Sequence, residues 1–327
     1  MKAVRVHQHG GPEVLTYEDV PDPSPGASEL LVDMRVIGVN YSDTSYRRGR
    51  SSRPGQPLPL TPGHEGGGIV AGLGQGVNDY KAGDRVVFSG MHRLGTYKQL
   101  MVLPALDCVP VPAGMDLKLA VTVLNQGQTA HYLTHDAHPI KPGERVLIHA
   151  AAGGVGSNLV QMAKRMGALV FATVSSDDKA DFARDLGADE VCLYTRVDFE
   201  PEVMRWTDGK GVDAVFDAIG GEVLPKSLSC LARRGHAVCY GQSAGPPSPP
   251  IPWPRRDLSS YYISNHHAID YNQPGEQAIG RAHEVFRWVR EGELKVHVHK
   301  EYALADAASA HRDIESRGTI GKLLLIP

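Results

Sequence analysis

The chain divides by the period of its apolar residues. From Arg145 onward, short continuous apolar runs alternate with stretches whose apolar positions recur every three or four residues. Arg145–Ala150 (RVLIHA), Ala168–Val174 (ALVFATV), Glu190–Tyr194, Val212–Ala218 and His236–Tyr240 read as five buried strands. Gly154–Met166 carries Val155, Leu159, Met162 and Met166 at helical spacing, and Lys179–Leu186 reads as a second, shorter helix. Strand–helix–strand units in series predict a doubly wound parallel sheet with helices on both faces and right-handed crossovers.

The stretch before Gly127 has another rhythm. VRVHQ, LLVDMRVIGVN, GGGIVAGLG and DRVVFSG are separated by the turn-forming clusters PDPSPG, TPGHEGGG and KAGD. This pattern predicts a compact, mostly antiparallel β domain. Gly245–Pro254 (GPPSPPIPWP) reads as a loop leaving the second domain, because its prolines lack the N–H donors a helix or central strand needs. Beyond it, Glu276–Glu291 reads as an amphipathic helix. Val296–Tyr302 and Lys322–Ile326 read as strands returning to the N-terminal domain. The expected class is α/β. Residues 1–124, completed by 265–327, form the β-rich domain, and residues 125–264 the doubly wound one.

Bulk properties narrow the function. A length of 327 residues fits two domains, and 42% hydrophobic with 22% charged residues is ordinary for a globular protein. The net charge of -3 argues against a nucleic-acid partner, since such binders carry a basic stripe. Arg47-Arg48, Arg233-Arg234 and Arg255-Arg256 are isolated pairs, read as solvated surface. The start of the chain lacks the apolar core of a signal peptide, and no run approaches the roughly 18 apolar residues that would span a bilayer. Cys108, Cys192, Cys230 and Cys239 show no CxxC spacing and read as buried free thiols, which suits a reducing cytoplasm. His131, His135 and His138 read as a partly exposed helix end rather than a metal face. His297 and His299 alternate on a strand, and His266-His267 reads as a surface or cleft-edge pair.

Candidate chemistry begins at Ala151-Ala152-Gly153-Gly154-Val155-Gly156, between a strand and a helix. Glycines there permit a tight turn and let backbone amides approach a pyrophosphate at the positive end of the helix. The first glycine of the usual fingerprint is Ala151. Sites selective for NAD place an acid at the end of the second strand to hold the ribose 2′-hydroxyl. Here that strand ends at Val174, followed by Ser175 and Ser176, with Lys179 one turn on and Asp177 and Asp178 nearby. Two hydroxyls and an ammonium suit a 2′-phosphate, so NADPH is the expected cofactor. The bland alternative for Ser176 is that it merely caps the helix.

AAGGVG, TVSSDDKADFARDLGAD, GKGVDAVFDAIGG, the terminal GKLLLIP and GVNYSDTSYRRG (Gly38–Gly49) together resemble the medium-chain dehydrogenase/reductase superfamily over essentially the whole chain. The branch resembled is that of the zinc-independent, zeta-crystallin-like quinone oxidoreductases. The resemblance implies a GroES-like catalytic domain, a Rossmann domain binding NADPH, and a homodimer. It implies that Asn40 and Asp43 line the nicotinamide end, with Thr129 approaching it. Gly153, Gly154 and Val155 would hold the pyrophosphate. Ser176, Lys179 and Tyr194, with Ser175 beside them, would surround the 2′-phosphate, and Gly241 and Ser243 would contact the cofactor. Two positions depart from the family pattern: its usual tyrosine falls on Ser45, with Tyr46 adjacent, and a frequent serine falls on Ala218.

Alcohol-oxidising relatives hold zinc with a cysteine, a histidine and a third ligand. Gly63-His64-Glu65 keeps the His-Glu pair, but Asn40 stands at the cysteine position, and an amide is a poor zinc ligand, so no metal is expected. His64 then reads as structural or substrate-facing. Without a Lewis acid, a simple alcohol is a poor substrate. A quinone or α,β-unsaturated carbonyl fits better, because conjugation spreads the charge that hydride brings. Asn40 is expected to donate a hydrogen bond to that charge, Tyr46 is the candidate proton donor with water as the alternative, and Asp43 is expected to organise the pocket or hydrogen-bond the cofactor rather than act as a base. Two alternatives remain: an enoyl-thioester or pathway-specific ene reductase, and a zeta-crystallin-like NADPH-binding protein with a structural or RNA-binding role, which the acidic balance disfavours. Loops Arg50–Leu60, Gly90–Gly95 and Ser243–Leu258 are expected to shape the acceptor pocket.

Overall fold

A computed structural model describes residues 1–50, 57–90, 95–249, 261–272 and 275–327. Residues 51–56, 91–94 and 250–258 of the loops expected to shape the pocket lie outside the described residues, as do Arg255-Arg256. The chain forms two compact units, one of residues 1–128 with 271–327, the other of residues 129–270. The helix Leu117–Tyr132 carries the chain across the first division, which falls after Gln128.

The first unit is a β assembly. Its seven-stranded sheet runs in the order Val298–Ala303, Lys322–Ile326, Glu29–Val39, Glu65–Leu73, Arg85–Ser89 and Val109–Pro110, with Leu100–Pro104 pairing the Glu29–Val39 strand. All pairings are antiparallel except that of Val298–Ala303 with Lys322–Ile326. The C-terminal residues thus supply two strands to a sheet begun by the N-terminal ones, as read from the sequence. Val32, Ile37, Val86, Leu103, Leu323 and Leu325 are fully buried in its core, which is what makes the register tight: a one-residue slip would turn this set to solvent. The short helix Tyr41–Arg47 follows the longest strand directly.

The second unit is the expected doubly wound sheet. Its strands run Glu190–Leu193, Leu169–Val174, Arg145–Ile148, Val212–Asp217, Leu231–Cys239 and Tyr261–Asn265, every pairing parallel. In chain order that is 3-2-1-4-5-6, with the order reversing between the first and fourth strands, where such folds bind dinucleotides. Strand residues such as Val146, Leu147, Phe171, Val215 and Phe216 are buried, as in sheets covered on both faces. By the sequence, Tyr261–Asp270 could extend the sheet beside the fifth strand across a two-fold axis; within the chain its first residues form the sixth strand. Tyr261–Asn265 has mixed polarity, and the proline-rich stretch before it masked the return to the sheet. The histidine series also differs from its reading: the helix ends in a π turn at Leu133–Ala137, His131 is buried, and its ring stacks on His135 with centroids 4.0 Å apart. His266 is buried against Ser264 rather than lying at the surface, its Nε2 2.5 Å from Ser264 Oγ. All four cysteines are buried and free.

Candidate active site

In the second unit the site is made of backbone. The strand Arg145–Ile148 ends in a turn whose tightest residue is Ala150, at φ 50°, a left-handed conformation that costs a non-glycine residue roughly 1–2 kcal/mol. Gly153 N–H closes the turn on Ala150 O at 2.8 Å, and the helix Gly154–Arg165 begins at once. The sequence pointed to Ala151 as the departure from the glycine pattern, but the strain falls one residue earlier. Gly156 is where glycine is obligatory: a Cβ there would lie 2.2 Å from Ala150 O. The first-turn amides of this helix have no acceptors within it, and with the helix dipole they form an anion cradle. Below the turn, buried His149 braces the strands, with Nδ1 2.8 Å from Thr173 Oγ1 and Nε2 2.8 Å from Ser227 Oγ. Burial holds its pKa down, so it serves as a neutral strut.

The second strand ends as the sequence required. No acid follows Val174. Ser175 Oγ accepts from Lys179 Nζ at 3.3 Å, and Lys179 is a buried lysine whose pKa burial lowers. Ser176 is the residue before the helix Asp177–Asp185, yet its hydroxyl makes no capping bond, so the bland reading of this serine does not hold. Asp177 is turned to Arg196, which grips it through two bonds of 2.9 and 2.6 Å. Tyr194 is exposed, with its amide bonded to Val174 O at the end of the same strand. Gly241 lies against Ala218, whose oxygen would be 3.0 Å from an added Cβ, and Ser243 N–H donates to that oxygen at 3.0 Å. Thr129 is buried on the helix Leu117–Tyr132. These residues fit a dinucleotide phosphate: an amide cradle that a methyl group would fill, and a lysine with two hydroxyls where a carboxylate would repel a 2′-phosphate.

In the first unit the site is made of side chains, nearly all buried. Asn40 precedes the helix Tyr41–Arg47, and its N–H donates to Asp43 Oδ2 at 2.9 Å. Asp43, fully buried, also accepts from Tyr97 OH at 3.0 Å, while its Oδ1 lies 2.9 Å from His64 Nδ1. Tyr97 OH meets His311 Nε2 at 3.0 Å, and His311 Nδ1 meets Arg47 Nη1 at 3.1 Å. Arg47 Nη2 reaches Glu315 at 2.5 Å. Arg47 is fully buried, which corrects its reading as solvated surface: a guanidinium is tolerated there because its donors are matched. A guanidinium only donates, so His311 Nδ1 must accept and its Nε2 must carry the proton. Tyr97 then donates to Asp43, and Asp43 accepts from His64 Nδ1–H. The string therefore has one direction. Burial foremost pushes His311 down to about 4, so it is neutral at pH 7. Burial opposes ionisation of Asp43, but attraction to His64 and the bonds from His64 and Asn40 prevail and hold its carboxyl below the usual range. Burial, then Asp43, raises Tyr97 well above an ordinary phenol.

A second cluster surrounds the Asn40 side chain. Lys322 Nζ donates to Asn40 Oδ1 at 2.8 Å and to Glu65 Oε2 at 2.5 Å, with both ionic side chains fully buried. Asn40 Nδ2 donates to Glu65 Oε2 at 3.0 Å, and Asn125 Nδ2 donates to Asn40 Oδ1 at 3.2 Å. Tyr46, the other expected catalytic residue, is buried on the same short helix. The sequence missed Tyr97, Asn125, His311, Glu315 and Lys322. Only Lys322 left a signal, a lone cation opening the apolar run KLLLI.

The alcohol dehydrogenase GroES-like domain family matches residues 26–113, and the zinc-binding dehydrogenase family matches residues 186–325. A quinone oxidoreductase of Pseudomonas aeruginosa is 36% identical, the match covering 100% of this chain and 99% of that protein. A 2-haloacrylate reductase of Burkholderia sp is 37% identical, covering 99% and 98%. The crystal structure of Escherichia coli quinone oxidoreductase complexed with NADPH superposes with a TM-score of 0.94 at 36% identity, covering 100% of both chains. Fold and matches define an oxidoreductase assembled from a GroES-like unit and a Rossmann unit. More narrowly, the chain belongs to the quinone oxidoreductase family of the medium-chain dehydrogenase/reductase superfamily.

The zinc implied by one family's name does not fit the donors. The thiolate position is an amide, and its oxygen already accepts from Lys322 and Asn125. Glu65 is neutralised by Lys322, and His64 Nδ1 faces Asp43, so an ammonium already occupies the cation's electrostatic role.

Proposed function

We propose that this protein transfers hydride from NADPH to a small conjugated electrophile, a quinone or an enone, without a metal. The observation that carries the reading is the Asn40 amide, held beside a buried ammonium where metal-dependent relatives need a thiolate. Such a site cannot polarise an alcohol as zinc does, but it can donate a hydrogen bond to an oxygen acquiring charge. NADPH, the dinucleotide with which the Escherichia coli relative was crystallised, would lie with its pyrophosphate on Gly153, Gly154 and Val155. Its 2′-phosphate would meet Ser175, Ser176, Lys179 and Tyr194, and Thr129, Gly241 and Ser243 would flank the rest. When bound it supplies the hydride; this chain supplies orientation and charge stabilisation. Asp43 sets the backbone of Asn40 and the tautomer of His64, a positioning task that suits a carboxylate bound by three donors. Tyr46 is the remaining candidate to hand on a proton.

A second reading has equal support from similarity. The Burkholderia 2-haloacrylate reductase acts on a halogenated conjugated acid, so an activated alkene is a competing acceptor class. Steady-state NADPH oxidation with a panel of benzoquinones, enones, 2-haloacrylates and enoyl thioesters, with and without a chelator, separates these. Turnover of quinones or enones unaffected by chelation is expected. Chelator-sensitive activity, or turnover of enoyl thioesters alone, would defeat the proposal.

A further inference from the structure

Asn40 has four hydrogen-bonding capacities, two lone pairs on Oδ1 and two protons on Nδ2. Three are spoken for. Both lone pairs meet donors, the Lys322 ammonium at 2.8 Å and the Asn125 amide at 3.2 Å. One Nδ2 proton goes to Glu65 Oε2 at 3.0 Å. An ammonium can only donate and an ionised carboxylate can only accept, so the two ends of the amide cannot be exchanged. The usual ambiguity between amide oxygen and nitrogen is settled by chemistry. Asn40 N–H is fixed separately, on Asp43. What remains, among the described residues, is a single Nδ2–H in a side chain whose rotamer and flip are both determined.

We infer that Lys322 and Asn125 are positioning residues that lock the Asn40 carboxamide so that its one remaining Nδ2–H is presented to the oxygen gaining charge during reduction. The inference rests on the reading above that Asn40 faces the acceptor, and it adds which residues make the amide a donor there. An unclamped asparagine could turn its carbonyl to the acceptor and repel the developing anion. The clamp removes that orientation before substrate binds, which is what preorganisation requires. The ammonium on Oδ1 also draws electron density from the amide and sharpens its N–H as a donor. The reaction balances without further redox partners: hydride leaves dihydronicotinamide for the acceptor, giving NADP⁺ and an enolate or quinol monoanion, and a proton from solvent, directly or through Tyr46, completes the product.

Gly38 shows that the space was made for this pair. A Cβ on Gly38 would lie 2.4 Å from Glu65 Oε2 and 2.9 Å from Lys322 Cε. Asn125 reaches the cluster twice, since its backbone N–H also donates to Glu65 Oε1 at 3.0 Å. That bond survives replacement of the side chain, so Asn125→Leu removes one donor from Oδ1 and leaves the helix anchored.

The test is a cycle of Asn125→Leu, Asn40→Leu and the double variant, measured as kcat for 1,4-benzoquinone with NADPH. It is joined by hydrogen-exchange protection of the Asn40 side-chain amide in protein labelled with ¹⁵N-asparagine. Asn125→Leu is expected to lower kcat about tenfold with the KM for NADPH unchanged. It should lower protection of the Asn40 Nδ2 proton on Glu65 by a similar factor. In the Asn40→Leu background the same change is expected to cost less than twofold. An equal loss with and without Asn40, or unaltered protection in Asn125→Leu, overturns the clamp. Full kcat in Asn40→Leu instead overturns the reading of Asn40 itself, and the exchange measurement still judges the clamp. Lys322→Met leaves Glu65 unpaired and risks misfolding, so Lys322→Met with Glu65→Gln is the companion variant. It should show the same loss of protection, and unchanged protection there also overturns the proposal.

Discussion

The two units build their sites from opposite materials. In the Rossmann unit the decisive groups are backbone amides of one turn, at residues 150–156, with a few side chains from the next strand end. In the GroES-like unit they are largely buried side chains drawn from four distant positions, Asn40, Glu65, Asn125 and Lys322. A backbone site tolerates a change of side chain, provided no methyl group fills the turn. A buried ionic site tolerates almost nothing, because removing one partner strands the other's charge in a poorly solvated place.

The sharpest way to break this contrast is Lys322→Met. Stranding Glu65 is expected to cost about 3–5 kcal/mol in urea unfolding, and pairing it with Glu65→Gln should recover most of that. A cost near zero would make the two units alike. Acid comes next. His311 sits at about 4 in the fold against an ordinary value near 6.5. Its neutral form is the folded one, so its contribution is complete above about pH 6.5 and fades as pH falls toward 4, reaching on the order of 3 kcal/mol. Unfolding free energy measured from pH 7 to 4 should drop accordingly, and His311→Gln should flatten that slope. Lys179→Ala follows. It should raise the KM for NADPH about tenfold, as loss of one charge-assisted contact does, while changing that for NADH less than twofold. Equal effects would refute the 2′-phosphate role. Smallest is Ala150→Gly, expected to stabilise by about 1 kcal/mol or less in thermal unfolding, since glycine adopts φ 50° freely.

How much of each site the sequence disclosed follows from the same contrast. The strand–glycine–helix turn is local: seven consecutive residues determine it, so strand, turn and helix were legible together. The Ser175, Ser176 and Lys179 group was legible for the same reason. In the catalytic unit only the segment around Asn40 and Asp43 could be read, because His311 and Lys322 join it from 264 and 282 residues away. A lysine opening an apolar strand and a histidine among alanines carry no local reason to be buried. Arg47 misled for the complementary reason: beside Arg48 it looks like surface, and it is the distant Gly10 carbonyl, Glu315 and His311 that make its burial tolerable. The sixth strand was legible only as a segment that could extend the sheet, because an edge strand with polar residues lacks the continuous apolar run that marked the other five.

Gly38 has no side chain, and that absence sets the room in which the charged pair sits. Any larger residue there would push the lysine and glutamate apart, and a variant seeking zinc chemistry by exchanging Asn40 for cysteine would still meet a cation lodged in its path. The charge pair, the amide and the gap that admits them therefore form one set, and a change to any of them disturbs the others.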